Sequence, residues 1–153
     1  MLERDDPELE ARALSKERLC VLASDQFVLP GTRQISCQQL ADFPLVTMRS
    51  GYGIRASLDR AAAQAQVQLQ VAFEVNLMGT VLALVEKGLG VGVLPQSVLH
   101  FAQPQGLNVR SLVKPAITRQ ISIVTRRDQL PSVPVRAFAQ QLQQYLNGMR
   151  WNY

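Results

Sequence analysis

The residue types that most often perform catalysis are sparse in this chain, and their spacing matches no common reaction centre. His100, the single histidine, lies between Leu99 and Phe101 without a nearby acidic residue, which is typical of a surface or packing residue rather than a general base. Glu74 and Glu86 lack the spacing of a paired-carboxylate site, and no Gly-x-Ser-x-Gly nucleophile elbow occurs. We therefore expect no catalytic residue and no enzymatic activity.

Metal and cofactor chemistry also lack a matching pattern. Cys20 and Cys37 lie in unrelated contexts without metal-ligand spacing, so free and largely buried thiols are favoured over a disulfide. Gly88, Gly90 and Gly92 superficially resemble a dinucleotide-binding loop, but that loop needs a strand before the glycines and a helix after them. Here the order is reversed, and the sequence predicts neither a metal site nor a cofactor.

The segment from Asn76 to Pro95 gives those glycines a structural role. Its first half carries apolar residues at helical spacing, namely Leu77, Val81, Leu84 and Val85. Gly88 can adopt the left-handed conformation that ends a helix. Residues 89–94 then form a short apolar run, as in a strand covered on both faces, and Pro95 can open the next helix. The sequence predicts a helix, a stop and a buried strand.

Composition indicates a soluble globular protein. Of the 153 residues, 47% are hydrophobic and 18% are charged, and no stretch approaches the roughly 20 apolar residues that span a bilayer. The first residues are charged where a signal peptide would be apolar, so we expect a cytoplasmic location without membrane contact. The net charge of +4 comes from scattered residues, and no DNA-binding or RNA-binding motif is present. This chain alone is a poor candidate for sequence-specific DNA binding.

The remaining periodicity predicts alternating strands and helices. Expected strands cover residues 18–24, 43–48, 67–73, 107–109 and 119–126. Expected helices are a short one capped by Ser36, one after the turn at 50–53, a short one at 96–101, and a closing one capped by Ser132. In the closing helix we expect these apolar residues to face the core: Val135, Phe138, Leu142, Tyr145 and Leu146. Repeated crossovers from Phe43 to Leu107 predict a mostly parallel, three-layer α/β unit.

Several of these segments resemble LysR-type transcriptional regulators. The resemblance rests on the Pro44-Leu-Val strand start, the turn from Ser50 to Arg55 and above all the segment from Leu84 to Pro95. It extends to residues 10–22, which resemble the family's crossing strand, and to residues 119–127, which resemble its return strand. Together these motifs cover nearly the whole chain.

The resemblance implies an effector-binding domain with a periplasmic-binding-protein-like (type II) α/β fold, in which a small ligand binds in a cleft between two subdomains. Residues 42–109 would form a complete three-layer second subdomain. Residues 1–41 and 110–153 would form a partial first subdomain, with strands near 18–24 and 119–126 and a closing helix at 132–147. Relative to the family, the helix-turn-helix domain, the linker helix and the first half of that subdomain would be missing before Met1, so we expect an N-terminally truncated protein.

The resemblance also places the ligand contacts of the second subdomain on two loops, at residues 47–53 and 74–77, which agrees with ligand binding at the carboxyl ends of strands. Backbone N–H groups of the first loop can bind a carboxylate at a helix N-terminus, with charge from Arg49 and a hydroxyl from Thr47. The predicted ligand-binding residues are Thr47, Arg49, Ser50, Gly51, Tyr52, Asn76 and Leu77.

Four of these positions have a purely structural alternative. Ser50 and Asn76 can cap helices, Thr47 can satisfy a strand end, and Arg49 can be a solvated loop charge. Tyr52 can shape specificity or cover the cleft, and Arg55 is expected to be an outward helix charge.

The predicted function is that of an effector-sensing regulatory domain, which binds a small, anionic metabolite and controls transcription in the intact regulator. DNA contact would come only from a helix-turn-helix domain absent from this chain. The alternatives are a solute-binding protein or a stand-alone interaction module of the same fold without DNA-binding output. Because the truncated subdomain would leave an apolar strand edge at residues 120–125, we also expect a homo-oligomer.

Overall fold

The computed structural model describes residues 6–148, which form a succession of strands and helices. In chain order these are β1 (Leu9–Ser24), β2 (Gln34–Ser36), α1 (Cys37–Leu40), β3 (Pro44–Met48), α2 (Gly53–Gln64), β4 (Gln70–Val75), α3 (Met78–Glu86), β5 (Val91–Pro95), α4 (Gln96–Ala102), β6 (Leu107–Val113), β7 (Thr118–Arg126) and α5 (Val133–Gly148). The described chain divides into unit 1, residues 6–17 and 119–148, and unit 2, residues 18–118.

Unit 2 is built on a mixed sheet with the strand order β2-β6-β1-β5-β3-β4. Strands β3, β4 and β5 run parallel, whereas β1 runs antiparallel to its neighbours β5 and β6. Because neighbouring parallel strands need crossover connections, α2 follows β3 and α3 follows β4. The carboxyl ends of β3, β4 and β5 therefore share one edge of the sheet.

The core of unit 2 lies between this sheet and its helices. The helix α2 buries Ile54, Leu58, Ala61 and Ala62, and α3 buries Val81 and Val85. All residues of β5 are buried, which agrees with the strand covered on both faces that the apolar run predicts. The expected α/β fold is confirmed, and its helices and buried strands follow from the two periodicities of the sequence.

The glycines between α3 and β5 have the predicted structural role. Gly88 has φ +71°, and its N–H donates to the Val85 carbonyl while the Leu89 N–H donates to the Leu84 carbonyl, which is a Schellman stop. A Cβ added to Gly90 would lie 2.6 Å from the backbone oxygen of Pro44. The interpretation as a helix stop and a tightly packed strand is confirmed.

Unit 1 consists of the first part of β1, the strand β7 and the helix α5. The strands run antiparallel, with the Arg127 N–H donating to the Glu8 carbonyl at 2.8 Å. The Gln143 side chain on α5 donates to the Leu14 carbonyl at 2.9 Å, and the buried Glu17 forms an ion pair with Arg119. A cavity of about 260 Å³ lies within this unit, where α5 meets the two strands.

The prediction that the apolar side of α5 faces a core holds only in part: Leu142 and Leu146 are half-buried, whereas Val135, Phe138 and Tyr145 are exposed. No described residue of this helix is buried, and the exposed fractions of Phe138 and Tyr145 are 64% and 57%. The physical reason is that only two described strands of unit 1 lie beneath the helix, which is too little surface to cover its apolar side.

The boundaries of several elements differ from the prediction. The resemblance places residues 18–24 in the first subdomain, whereas in the structure they pair with β5 and β6 inside unit 2. Strand β1 begins at Leu9, β4 extends to Val75, and β6 extends to Val113. The outermost parts of the predicted first subdomain, residues 1–5 and 149–153, lie outside the described residues.

Within the described part of the chain, no helix is long and apolar enough to cross a membrane.

Candidate functional site

The two loops predicted to bind ligand start side by side at the carboxyl edge of the parallel strands. Thr47 is the register partner of Glu74, and Met48 is the partner of Val75. Immediately beyond, the Arg49 N–H donates to the Val75 carbonyl at 3.0 Å. The parallel pairing of β3 and β4 thus brings residues 49–52 and 76–77 to neighbouring positions, as the rule for open α/β sheets predicts.

Each loop leads into a helix whose N-terminus has no side-chain cap. The N-cap residues are Tyr52 for α2 and Leu77 for α3, and neither side chain accepts a hydrogen bond from the helix. By contrast, Ser36 and Gln39 form the predicted reciprocal capping box on α1. The first N–H groups of α2 and α3 have no intrahelical partner and carry the positive end of the helix dipole. Both helix ends can therefore receive an anion.

Two structural alternatives for these loops are wrong. Ser50 does not cap α2, because that helix begins at Gly53 with Tyr52 as its N-cap. Asn76 does not open α3, because that helix begins at Met78 with Leu77 as its N-cap. Ser50 instead lies in a turn in which the Tyr52 N–H donates to the Arg49 carbonyl at 3.3 Å.

Thr47 has an unusual environment for a hydroxyl group. Its side chain is buried near the end of β3, and its Oγ1 atom has no hydrogen-bond partner. The alternative that this hydroxyl satisfies the strand end is therefore wrong. A buried hydroxyl without a partner costs stability, so a hydrogen-bonding group that enters at the strand end and contacts this atom would be favoured.

The other predicted site residues are exposed. Arg49, Ser50 and Gly51 lie on the surface of the first loop, where Gly51 adopts φ +95°. The exposed fraction of the residue is 43% for Tyr52 and 68% for Leu77. The backbone bond from Arg49 to Val75 joins the bases of the two loops, and the predicted side chains extend into solvent from there.

Arg55 is not the outward helix charge that the sequence predicted. Its side chain is only 15% exposed and forms ion pairs with Asp59 on the same helix and Glu74 on β4. The arginine lies in the first turn of α2, close enough to the end of β4 for its long side chain to reach Glu74. The spacing of four residues between Arg55 and Asp59 is the signal that indicates the helical pair, whereas nothing local indicates Glu74.

The residues considered for other chemistry form no reaction centre among the described residues. The His100 ring contacts Phe101 edge to face, with ring centroids 5.3 Å apart. Cys20 and Cys37 are buried free thiols, and burial raises the pKa of Cys37. Among residues 6–148, no group of three or more His, Cys, Asp and Glu side chains is placed to hold a metal ion.

Parallel strands with helix N-termini at their carboxyl edge define a ligand-binding α/β domain. The family model of the LysR substrate binding domain matches residues 1–147. The chain therefore belongs to the LysR substrate-binding domain family.

Curated relatives are transcriptional regulators. A probable nitrogen assimilation transcriptional activator of Synechococcus elongatus is 30% identical over 128 residues, which cover 83% of this chain and 41% of that protein. A protein of the same description from Synechocystis is 27% identical, covering 86% of this chain and 45% of its own length. The chain thus spans less than half the length of these relatives.

Solved structures of regulatory domains share the fold. The effector-binding domain of QuiR in complex with shikimate superimposes with a TM-score of 0.77 and 22% identity, covering 95% of this chain and 68% of that domain. The CcmR regulatory domain of Synechocystis in complex with 2-PG gives a TM-score of 0.82 and 19% identity, covering 97% of this chain and 72% of that domain. At these identities, the likeness shows the fold alone.

Proposed function

We propose that this chain is the effector-sensing part of a LysR-type regulator and that its effector is a small anion bound at the loops after β3 and β4. The observation that carries the proposal is that two loops start side by side and each leads into a helix without a side-chain cap. Unpaired N–H groups at the ends of α2 and α3 favour a carboxylate or phosphate. Two structural neighbours are complexes with shikimate and with 2-PG, which supports a small polar effector.

In this proposal each loop residue has a definite task. Arg49 supplies the positive charge, the amides of Ser50 and Gly51 donate to the anion, and Asn76 offers a side-chain amide. Tyr52 and Leu77 supply the exposed apolar surface that contacts the carbon skeleton of the effector. These are binding tasks, and we propose that the chain is not an enzyme, in agreement with relatives that are transcriptional regulators.

Ligand titration with loop variants tests this proposal. We would screen shikimate and a panel of small carboxylates and phosphates by thermal melting, then measure the dissociation constant of a stabilising compound by calorimetry. A compound at about 100 times its dissociation constant should stabilise the chain by about 2.7 kcal/mol. Arg49→Ala and Asn76→Ala should each weaken it by about tenfold, consistent with the loss of about 1.4 kcal/mol. Arg60→Ala, at an exposed arginine on α2, is the matched control.

Unchanged affinity in both loop variants would move the binding site away from these loops. Loss of affinity in Arg60→Ala as well would mean that the effect of Arg49→Ala comes from net charge alone.

We further propose that the chain self-associates in the cytoplasm and that DNA contact in the intact regulator comes from a helix-turn-helix domain outside this sequence. Among the described residues, the pairing shown for β7 is with β1. Backbone groups alternate along a strand, and Arg127 points its N–H towards β1, so Gln120, Ser122 and Val124 point theirs to the other edge. That edge is suited to pairing with a second copy.

Light scattering coupled to size exclusion tests the self-association. Ser122→Pro removes one outward N–H without touching the bonds to β1, whereas Ser122→Ala retains it. We expect an oligomer for the native chain and for Ser122→Ala, and a monomer for Ser122→Pro. An oligomer of unchanged size in Ser122→Pro would exclude this edge, and a monomeric native chain would exclude the self-association.

A further inference from the structure

Arg55 connects the first turn of α2 to both strands from which the candidate loops emerge. Its Nε donates to Asp59 Oδ1 at 2.8 Å, and its Nη1 donates to the Met48 carbonyl at 3.3 Å. The same Nη1 donates to the Glu74 carboxylate. One guanidinium thus contacts its own helix, the last residue of β3 and the end of β4.

The contacted groups lie immediately before the two loops. Met48 precedes Arg49, and Glu74 lies two residues before Asn76. Beyond the ladder of β3 and β4, the bond from the Arg49 N–H to the Val75 carbonyl links these segments. Arg55 adds a side-chain link at the end of this ladder, so the relative position of the two loops depends on this guanidinium as well as on the backbone bonds.

The ion pairs of Arg55 serve geometry more than global stability. The carboxylates of Asp59 and Glu74 are 51% and 40% exposed, and exposed pairs contribute little to the free energy of unfolding. Burial opposes the charge of Arg55, but hydrogen bonds to both carboxylates outweigh it and hold the pKa above its ordinary value. The planar fork of arginine reaches several acceptors in fixed directions, which the single ammonium of lysine does not.

We propose that Arg55 is a positioning residue that holds the loops at 49–52 and 76–77 in the arrangement that receives the effector. The inference rests on the proposed function for its purpose, but the positioning itself is a property of the unliganded chain. Its consequence is local: without the guanidinium, both loops open more often while the core of unit 2 keeps its stability.

Hydrogen–deuterium exchange of the full chain without ligand tests this inference. The variants are Arg55→Ala, Arg55→Lys and the control Arg60→Ala on the same helix. In Arg55→Ala, the hydrogen-bonded amides of Arg49 and Tyr52 in the first loop, and of Thr80 and Val81, which donate to Leu77 in the second, should exchange about five to ten times faster. Those of β5 should exchange as in the native chain. Arg55→Lys should resemble Arg55→Ala in the second loop, since an ammonium on a flexible stem cannot hold both acceptors. Arg60→Ala should exchange as the native chain does.

A second variant separates positioning from folding. Glu74→Gln keeps the pair between Arg55 and Asp59 but weakens the link to β4, so exchange should rise at Thr80 and Val81 more than at Arg49 and Tyr52. Unchanged loop exchange in Arg55→Ala and Glu74→Gln would overturn the inference. Equal acceleration in the loops and in β5 would also overturn it, because Arg55 would then act on the whole fold.

The exchange result does not depend on an effector. Titration of shikimate and the same panel of anions into the native chain decides the proposed function, whereas loop exchange decides the role of Arg55. Where a compound binds the native chain, Arg55→Ala should bind it about tenfold more weakly, and full affinity in that variant would mean that the arrangement is not required for binding.

Discussion

Replacement of Thr47 by valine should raise the stability of the chain and lower its affinity for an effector at the same time. The hydroxyl of Thr47 is buried and has no hydrogen-bond partner, whereas a valine methyl at that place needs none. A buried hydroxyl left unpaired costs about 1–3 kcal/mol. Because the two side chains are nearly equal in size, Thr47→Val opens no cavity, and the free energy of unfolding should rise by about 1–2 kcal/mol.

The assay is a urea titration together with a thermal melt, both without ligand. For a domain of this length, each kcal/mol corresponds to about 2–4 °C in Tm, so the melting temperature should rise by about 2–8 °C. In the presence of a compound that binds the native chain, the same variant should lose about tenfold to a hundredfold in affinity, the equivalent of one hydrogen bond to a charged group.

Ser24→Ala is the matched control, because Ser24 Oγ is also buried and has no hydrogen-bond partner. Strand β1 runs antiparallel to β5, so Ser24 lies at the edge of the sheet opposite the candidate loops. Its replacement should also stabilise the chain, by about 1 kcal/mol, and should leave ligand affinity unchanged. A fall in Tm for Thr47→Val beside a rise for Ser24→Ala would refute the reasoning, as would full affinity in Thr47→Val.

Three further predictions concern the packing of the chain. In urea titrations, Gly90→Ala should lower the free energy of unfolding by about 1–3 kcal/mol, because its Cβ would lie 2.6 Å from the Pro44 carbonyl oxygen. Gly79→Ala should raise it by about 0.5 kcal/mol, because a Cβ at that position meets no atom within 4 Å. Ser36→Ala should cost about 1 kcal/mol by removing the capping box of α1, and a midpoint within error of the native value would contradict that. At pH 8, the reaction of Cys37 with a thiol reagent should be at least about tenfold slower in the folded chain than in urea, because burial raises its pKa and blocks access. Equal rates would show that the thiol is accessible to the reagent.

Local patterns were sufficient to predict much of unit 2. The capping box at Ser36, the stop at Gly88 and the buried strand before Pro95 depend on a few neighbouring residues, so they are legible without the fold. The family resemblance then placed the two loops on one edge of the sheet, and the register of β3 with β4 agrees with that placement.

What the sequence did not predict depends on distant partners. The first part of β1 is mostly exposed, so it lacks the apolar pattern that marks a strand, and its pairing with β7 forms it instead. Strand β6 continues to Val113 because β1 and β2 flank it on both sides. The role of Arg55 depends on Glu74, nineteen positions away, and no local rule connects the two.

In unit 2, the hydrogen-bonding groups without a partner are concentrated at the carboxyl edge of the parallel strands, which argues for a ligand there. The chain caps α1 completely, yet the helices that follow β3, β4 and β5 all begin at a tyrosine, leucine or proline without a side-chain cap. A missing cap costs about 1 kcal/mol, and the hydroxyl of Thr47 adds a further cost at the same edge. Strand geometry does not require uncapped helices at this edge, because Ser36 shows that an ordinary cap fits after a strand of the same sheet. An anion that accepts from α2 and α3 and reaches Thr47 would satisfy these groups together, so its binding should stabilise unit 2 by more than its contact with any single loop.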